Sequence, residues 1–248
     1  MDKIKLLIEK SKKLFKEDKA IVHFVYDEEQ NKFLNDLEKC PHAFVLACLM
    51  DRQINAERAW AIPYKIYKEV GTFNIYKLKE KRKEYYKELF NKNKFHRFNN
   101  DMAEIFYNGI CRIIDKYEGK ANKIWNDNPS SAAIVYRFLE FDGCGIKIAT
   151  MAANILAREF KIPMLDYYCI DISPDVHIRR VLYRLGFVEK EASPDMVIYK
   201  ARELNPKFPG LIDSVCWEIG RNYCRPKFEY CECKKCDMNK VCPKPKKE

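Results

Sequence analysis

Apolar residues recur at a helical period along almost the whole chain, and sustained β-type alternation is absent. That pattern predicts an all-α protein. It places helices over residues 1–17, 28–38, 42–50, 54–70, 75–90, 101–118, 129–139, 146–160, 176–186, 194–204 and 208–222. Residues 21–26 (IVHFVY) are the one stretch that reads as a strand, and buried helix fits them as well. A chain of 248 residues buries a sizeable core, and one body of two lobes is expected. No internal repeat is visible.

No apolar run approaches the length of a membrane span. The start, MDKIKLLIEKSKKLFKEDKA, is amphipathic and lacks the unbroken apolar stretch of a signal peptide. A cytoplasmic protein without a membrane partner is expected, its first helix docked on its own core. Lys and Arg outnumber Asp and Glu by 46 to 36, a formal +10, and an excess of this size favours a polyanionic partner. Residues 77–100 mix basic and aromatic side chains. A solvated helix face is the plainer reading of them, a phosphate-tracking surface the sharper one. The tail PKPKKE reads as basic and disordered.

Glycine is scarce, at 8 residues, yet Gly143 and Gly145 stand one residue apart between two helical patterns, SAAIVYRFLEF and IKIATMAANILAREF. So short a link makes a helix-hairpin-helix. Glycines there permit positive φ and let an anion approach the backbone. The amides of Gly145, Ile146 and Lys147 then open a helix, where unpaired donors and the dipole favour a phosphate. On spacing alone, a plain helix–helix turn explains the glycines equally.

Lys147 lies in that first turn, where the dipole disfavours an ammonium, and partial burial would lower its pKa further. A neutral amine is a nucleophile able to form a Schiff base, whereas most lysines keep their heads in solvent. In SPDVHIRRVLYRLGF, Asp175 occupies an N-cap position ahead of an apolar stripe. A simple cap is one reading. The other is a carboxylate facing Lys147 across a cleft, stabilising positive charge on a sugar or accepting a proton. His177 reads as structural or as a contact supporting that site.

Of 11 cysteines, five fall in CRPKFEYCECKKCDMNKVC, residues 224–242. In a cytoplasmic protein such a cluster points to metal before disulfides. Cys233, Cys236 and Cys242 form C-x2-C-x5-C, with Cys231 and Cys224 upstream. Four thiolates on a loop suit either a 4Fe–4S cluster or zinc.

Three separated features resemble the endonuclease III branch of the helix-hairpin-helix (HhH-GPD) DNA glycosylases. FDGCGIKIA (residues 141–149) is similar to the family's L-P-G-V-G-x-K-T-A, and DVHIRRV (residues 175–181) to its V-D-T-H-V-x-R-V. EIGRNYC leading into the cysteine loop is similar to its H-G-R-x-x-C, and LMDRQ (residues 49–53) more loosely to its L-x-S-x-Q. The resemblance spans roughly residues 42–242.

It implies an all-α, two-lobed fold with a C-terminal iron–sulfur loop and double-stranded DNA bound across the cleft. Residues 42–160 would form the lobe with the hairpin; residues 1–41 and 161–248 would form the other. The implied activity is excision of a damaged or mismatched base by a nucleoid-associated monomer. Lys147 would attack C1′ of an everted nucleotide, Asp175 would assist base departure, and β-elimination would cut the strand. Gln53 would fill the gap, and Gly143, Gly145, Ile146 and His177 would lie against DNA. Cys224, Cys233, Cys236 and Cys242 would hold the cluster; Cys231 is the rival second ligand. Oxidised pyrimidines are the family's usual substrates, with 8-oxoguanine, alkylated purines and mismatched uracil or thymine also open. A glycosylase using water as nucleophile, or a metal-stapled DNA-binding protein without turnover, are the alternatives. The interval from Lys147 to Asp175, 28 positions, is about ten longer than the family pattern, and Asp171 within it rivals Asp175.

Overall fold

The computed structural model describes residues 2–243. The basic tail expected at the C-terminus lies outside the described residues from Lys244 on. In chain order the helices are α1 (Lys3–Lys16), α2 (Glu28–Asn35), α3 (Pro41–Met50), α4 (Ala56–Trp60), α5 (Ile62–Val70), α6 (Ile75–Glu80), α7 (Arg82–Asn93), α8 (Asn99–Tyr117), α9 (Ser131–Leu139), α10 (Ile146–Arg158), α11 (Val176–Arg184), α12 (Pro194–Leu204) and α13 (Asp213–Asn222). No strand occurs among the described residues, and no described helix is long and apolar enough to cross a membrane.

Three expected helices divide for local reasons. Residues 54–70 break at Ala61, because Pro63 in the first turn of α5 has no amide to continue the ladder. Residues 75–90 break at Lys81, where Arg82 takes a left-handed φ of 58°. Residues 208–222 open with a separate 3-10 turn, Pro209–Ile212, before α13.

The IVHFVY segment is neither strand nor helix. Its amides bond to side chains: Val22 N donates to Asn35 Oδ1 at 2.8 Å, and Phe24 N and Val25 N donate to Asn31 Oδ1 at 2.9 and 3.1 Å. The same asparagines return bonds to Val22 O and Val25 O at 2.9 and 2.8 Å. Two side chains of α2 thus satisfy the backbone that a neighbouring strand would otherwise pair.

The chain forms two compact units. Of the described residues, the hairpin-bearing unit comprises 19–129 and 136–152, and the other comprises 2–18, 130–135 and 153–243. Residues 19–41 therefore group with the hairpin, and residues 130–135 and 153–160 with the second unit, unlike the division expected at 41/42 and 160/161. In the hairpin unit every residue of α3 is buried. A helix apolar all round is a core helix, and α2, α4, α5 and α8 surround it.

In the second unit Leu7 of α1, Ile178, Val181 and Leu182 of α11, Val197 of α12 and Val215 and Ile219 of α13 build the core. The long 161–175 segment wraps this unit. Ile170 and Ile172 are fully buried, and Ile170 O accepts from Gly210 N at 2.7 Å. Ser131 Oγ donates to Asp166, and Tyr167 stacks on Phe208 at 4.7 Å. The extra residues are tied down at several points.

Candidate functional site

The hairpin between α9 and α10 assigns different tasks to its two glycines. Gly143 has φ 74°, and a Cβ there would lie 2.5 Å from Ile105 Cδ1 on α8. It serves both the left-handed turn and close packing on α8. Gly145 lies outside the left-handed region, so the expectation of positive φ at both glycines holds only for Gly143. Above Gly145 a Cβ would meet nothing within 4 Å. Its backbone is open to solvent.

The amides of Ile148 and Ala149 are the first to turn back into α10, both bonding Gly145 O at 3.0 Å. Those of Gly145, Ile146 and Lys147 come before the ladder begins. Asp142 is drawn aside by Asn108 of α8, whose Nδ2 donates to Asp142 Oδ2 at 2.8 Å. Ile146 and Lys147 are both exposed, so the partial burial expected of Lys147 is not met. Gln53 is exposed on the loop between α3 and α4, with φ 55°.

In the second unit Asp175 caps α11. Its Oδ1 accepts from His177 N and Ile178 N, each at 2.8 Å. Asp171 differs: it is 4% exposed and held by Arg202 through two bonds of 2.8 Å. Its oxygens are committed to that ion pair. His177 is half-buried, its ring nitrogen Nδ1 3.0 Å from Arg180 Nη2. A Cβ on Gly220 would lie 2.7 Å from His177 Cβ, so α13 approaches α11 at contact distance there.

Two arginines that the sequence motif contained but did not single out tie α11 to the cysteine loop. Arg180 donates from Nε to Cys224 O and from Nη2 to Gly220 O, both at 2.7 Å. Arg184, 8% exposed, donates from Nη1 to Cys224 Sγ at 3.1 Å and Cys231 Sγ at 3.0 Å, and from Nη2 to Pro226 O at 2.8 Å. The spacing i, i+4 puts both guanidinium groups on one face of α11, the signal that could have flagged them.

Cys224, Cys231, Cys233, Cys236 and Cys242 line one cavity with Val181, Leu185 and Met238. Burial pushes the Cys236 thiol pKa up, and the nearby thiols of Cys224, Cys242 and Cys233 add to the rise. Burial also raises Cys224, against the pull of Arg184. Cys231 shares Arg184 with Cys224, adds to the rise of the Cys224 pKa and also accepts from Arg225 N at 3.2 Å. As a donor set, several soft thiols around an apolar cavity suit zinc or an iron–sulfur cluster. Among the described residues no three Cys, His, Asp or Glu side chains yet converge into a metal-holding group.

The sequence matches no protein-family model and no curated protein. Among solved structures the chain is similar to an endonuclease III trapped as a covalent DNA intermediate in an estranged-adenine complex. The TM-score is 0.62 at 17% identity, covering 98% of this chain and 96% of that one. It is also similar to endonuclease III in a non-covalent DNA complex, with TM-score 0.61, 16% identity and the same coverage of 98% and 96%. The architecture is thus an all-helical fold built around a helix-hairpin-helix. More narrowly, it is the endonuclease III-like HhH-GPD fold, with a cysteine-rich loop at its C-terminal end.

Proposed function

We propose that the protein is a DNA N-glycosylase that removes a damaged or mismatched base from duplex DNA, with associated AP lyase activity through Lys147. The observation that carries this reading is the hairpin. An open backbone at Gly145 and three first-turn amides stand beside an exposed lysine, on a fold shared with DNA-bound endonuclease III structures. The amides and helix dipole suit a backbone phosphate, and an amine next to that phosphate suits attack on the sugar.

In this reading the unprotonated amine of Lys147 attacks C1′ of an everted nucleotide, and the C1′–base bond breaks with its electrons leaving on the base. Asp175 Oδ1 is engaged by the α11 amides, which leaves Oδ2 to stabilise charge at the sugar or to take the amine's proton. Once the nitrogen has shed a proton, its lone pair forms the C1′=N bond as the C1′–O4′ bond breaks, the sugar ring opens and O4′ takes a proton. Loss of a C2′ proton then forms the C2′=C3′ bond and breaks C3′–O3′, expelling the 3′ phosphate. Gln53 fills the space in the duplex, and His177 supports the Asp175 turn through Arg180.

Cys224, Cys233, Cys236 and Cys242 would hold a 4Fe–4S cluster, with zinc as the alternative. The cluster would staple the loop to the core beneath it and take no part in base release. Support comes from Cys236, whose pKa the thiols of Cys224, Cys242 and Cys233 raise, and from the bond of Arg225 N to Cys231; Cys231 shares Arg184 with Cys224 and is the rival second ligand.

The test is a panel of lesion-bearing duplexes scored separately for base release and strand cleavage, with borohydride added to trap the imine. An adduct that disappears in Lys147→Ala supports lyase chemistry. Base release that survives Lys147→Ala without strand cleavage would replace the lysine by water. Salt-sensitive binding with no turnover of any lesion would overturn the enzymatic reading.

A further inference from the structure

The loop bearing Gln53 is held from a distance. A side chain other than glycine in the left-handed region is strained and persists only where its surroundings enforce it. At the loop's start, Arg52 N bonds Met50 O at 2.8 Å; at its end, Asn55 Oδ1 accepts from Arg58 N at 3.3 Å and caps α4. Both ends then meet the segment 94–96, which follows α7. Arg58 Nε donates to Phe95 O at 3.1 Å, and its Nη2 donates to Lys94 O.

His96 is the other leg. It is 2% exposed, and its Nδ1 accepts from Phe98 N at 3.0 Å, which puts the ring proton on Nε2. His96 N donates to Asn99 Oδ1 at 2.9 Å, which fixes the residue further. Buried Nε2 has no hydrogen-bond partner within normal geometry among the described residues, and the backbone groups nearest the ring are those of Met50 and Arg52, at the root of the loop. An unpaired donor so deeply buried is rare, and here it belongs to a ring beside the root of one loop.

We propose that His96 and Arg58 are positioning residues that brace the 51–55 loop in the shape that presents Gln53, and that His96 Nε2 completes its bond to the loop carbonyls when the loop seats in DNA. The DNA half of this inference rests on the reading of Gln53 given above; the brace itself does not. Nδ1 accepts from Phe98 N, which leaves Nε2 as the ring donor, and burial shifts the ring toward its neutral form. Phe at 96 would fill the space without either role, whereas Gln could both donate and accept.

Amide hydrogen exchange on the full chain without DNA tests the brace. The amides of residues 52–55 should exchange at least about tenfold faster in His96→Phe and in Arg58→Ala, with His96→Gln near wild type. The second variant keeps the test alive if the first fails to fold. Unchanged exchange in both folded variants overturns the brace. A duplex with 2-aminopurine opposite a tetrahydrofuran abasic analogue tests the DNA half. Gln53→Ala should lose the gap-filling fluorescence change, His96→Phe should lose most of it, and His96→Gln should restore it. Loss in Gln53→Ala with a full signal in His96→Phe overturns the seating step alone. A full signal in Gln53→Ala overturns the gap-filling role of Gln53 and the seating step with it, leaving exchange to judge the brace.

Discussion

Arg202 clamps Asp171 through parallel bonds, Nε to Oδ1 and Nη2 to Oδ2, each 2.8 Å. Four residues on, Asp175 spends one oxygen on two helix amides. The two carboxylates that compete for one role in the sequence are therefore separable. Asp171→Asn breaks the bidentate pair and should destabilise by about 2 kcal/mol, less than a fully buried pair because Arg202 is 43% exposed. Asp175→Asn keeps an N-cap oxygen and should change stability by less than about 0.5 kcal/mol. In the proposed glycosylase reaction it should slow base release by roughly a hundredfold or more. Urea unfolding and single-turnover assays on both variants measure the two effects.

The two hairpin glycines should respond oppositely to alanine. Gly143→Ala meets a left-handed φ and Ile105 Cδ1 at 2.5 Å, so it should lose about 1–3 kcal/mol of stability. Gly145→Ala meets neither, and its stability should hold. If the open backbone receives a phosphate, Gly145→Ala should weaken duplex binding about tenfold, the worth of one charge-assisted hydrogen bond. Thermal unfolding and fluorescence-anisotropy titrations distinguish the two.

Most of this fold was legible because helical periodicity and caps are local properties. Asp175 before Val176 reads as a cap from sequence, and the structure makes it one. The helix breaks at Ala61 and Lys81 were missed; Pro63 announced the first, but the positive φ of Arg82 has no marker in the chain. The IVHFVY segment misled because its partners are two asparagine side chains, which no β-pattern records. The Arg202–Asp171 clamp joins positions 31 apart, and nothing local in either stretch foretells it. That Gly143 takes the left-handed turn against Ile105 while the Gly145 backbone lies open is a difference in packing on α8 that the two identical letters do not record.

Acid should loosen the hairpin unit through two histidines. His42 is 6% exposed, with Nε2 2.7 Å from Phe73 O and its ring stacked on Phe73; burial lowers its pKa below the ordinary 6.5. Burial lowers His96 likewise. The unfolded chain then binds protons that the folded chain refuses. Stability from this source is complete above about pH 6.5 and falls as pH drops below it, by up to about 1.4 kcal/mol per pH unit for each histidine. Urea midpoints between pH 7.5 and 5 should show the slope. His42→Gln, whose amide can still donate to Phe73 O, should remove about half of it.

The fifth cysteine offers the sharpest test of the loop. The thiols of Cys224, Cys242 and Cys233 raise the pKa of Cys236, whereas Cys231 shares Arg184 with Cys224 and also accepts from Arg225 N. Each thiolate of a four-ligand site carries part of the binding free energy, and that energy also stabilises the loop. Cys236→Ala should therefore lose bound metal and lower the unfolding temperature, while Cys231→Ala should keep the wild-type metal content. The measurement is metal analysis with visible absorption on anaerobically purified protein. Brown colour with iron and sulfide identifies a cluster, and a colourless zinc-loaded protein identifies the alternative. If Cys231→Ala loses the metal and Cys233→Ala keeps it, the ligand set shifts to Cys231. The bond from Arg184 to Cys231 Sγ would then be a contact to a ligand sulfur.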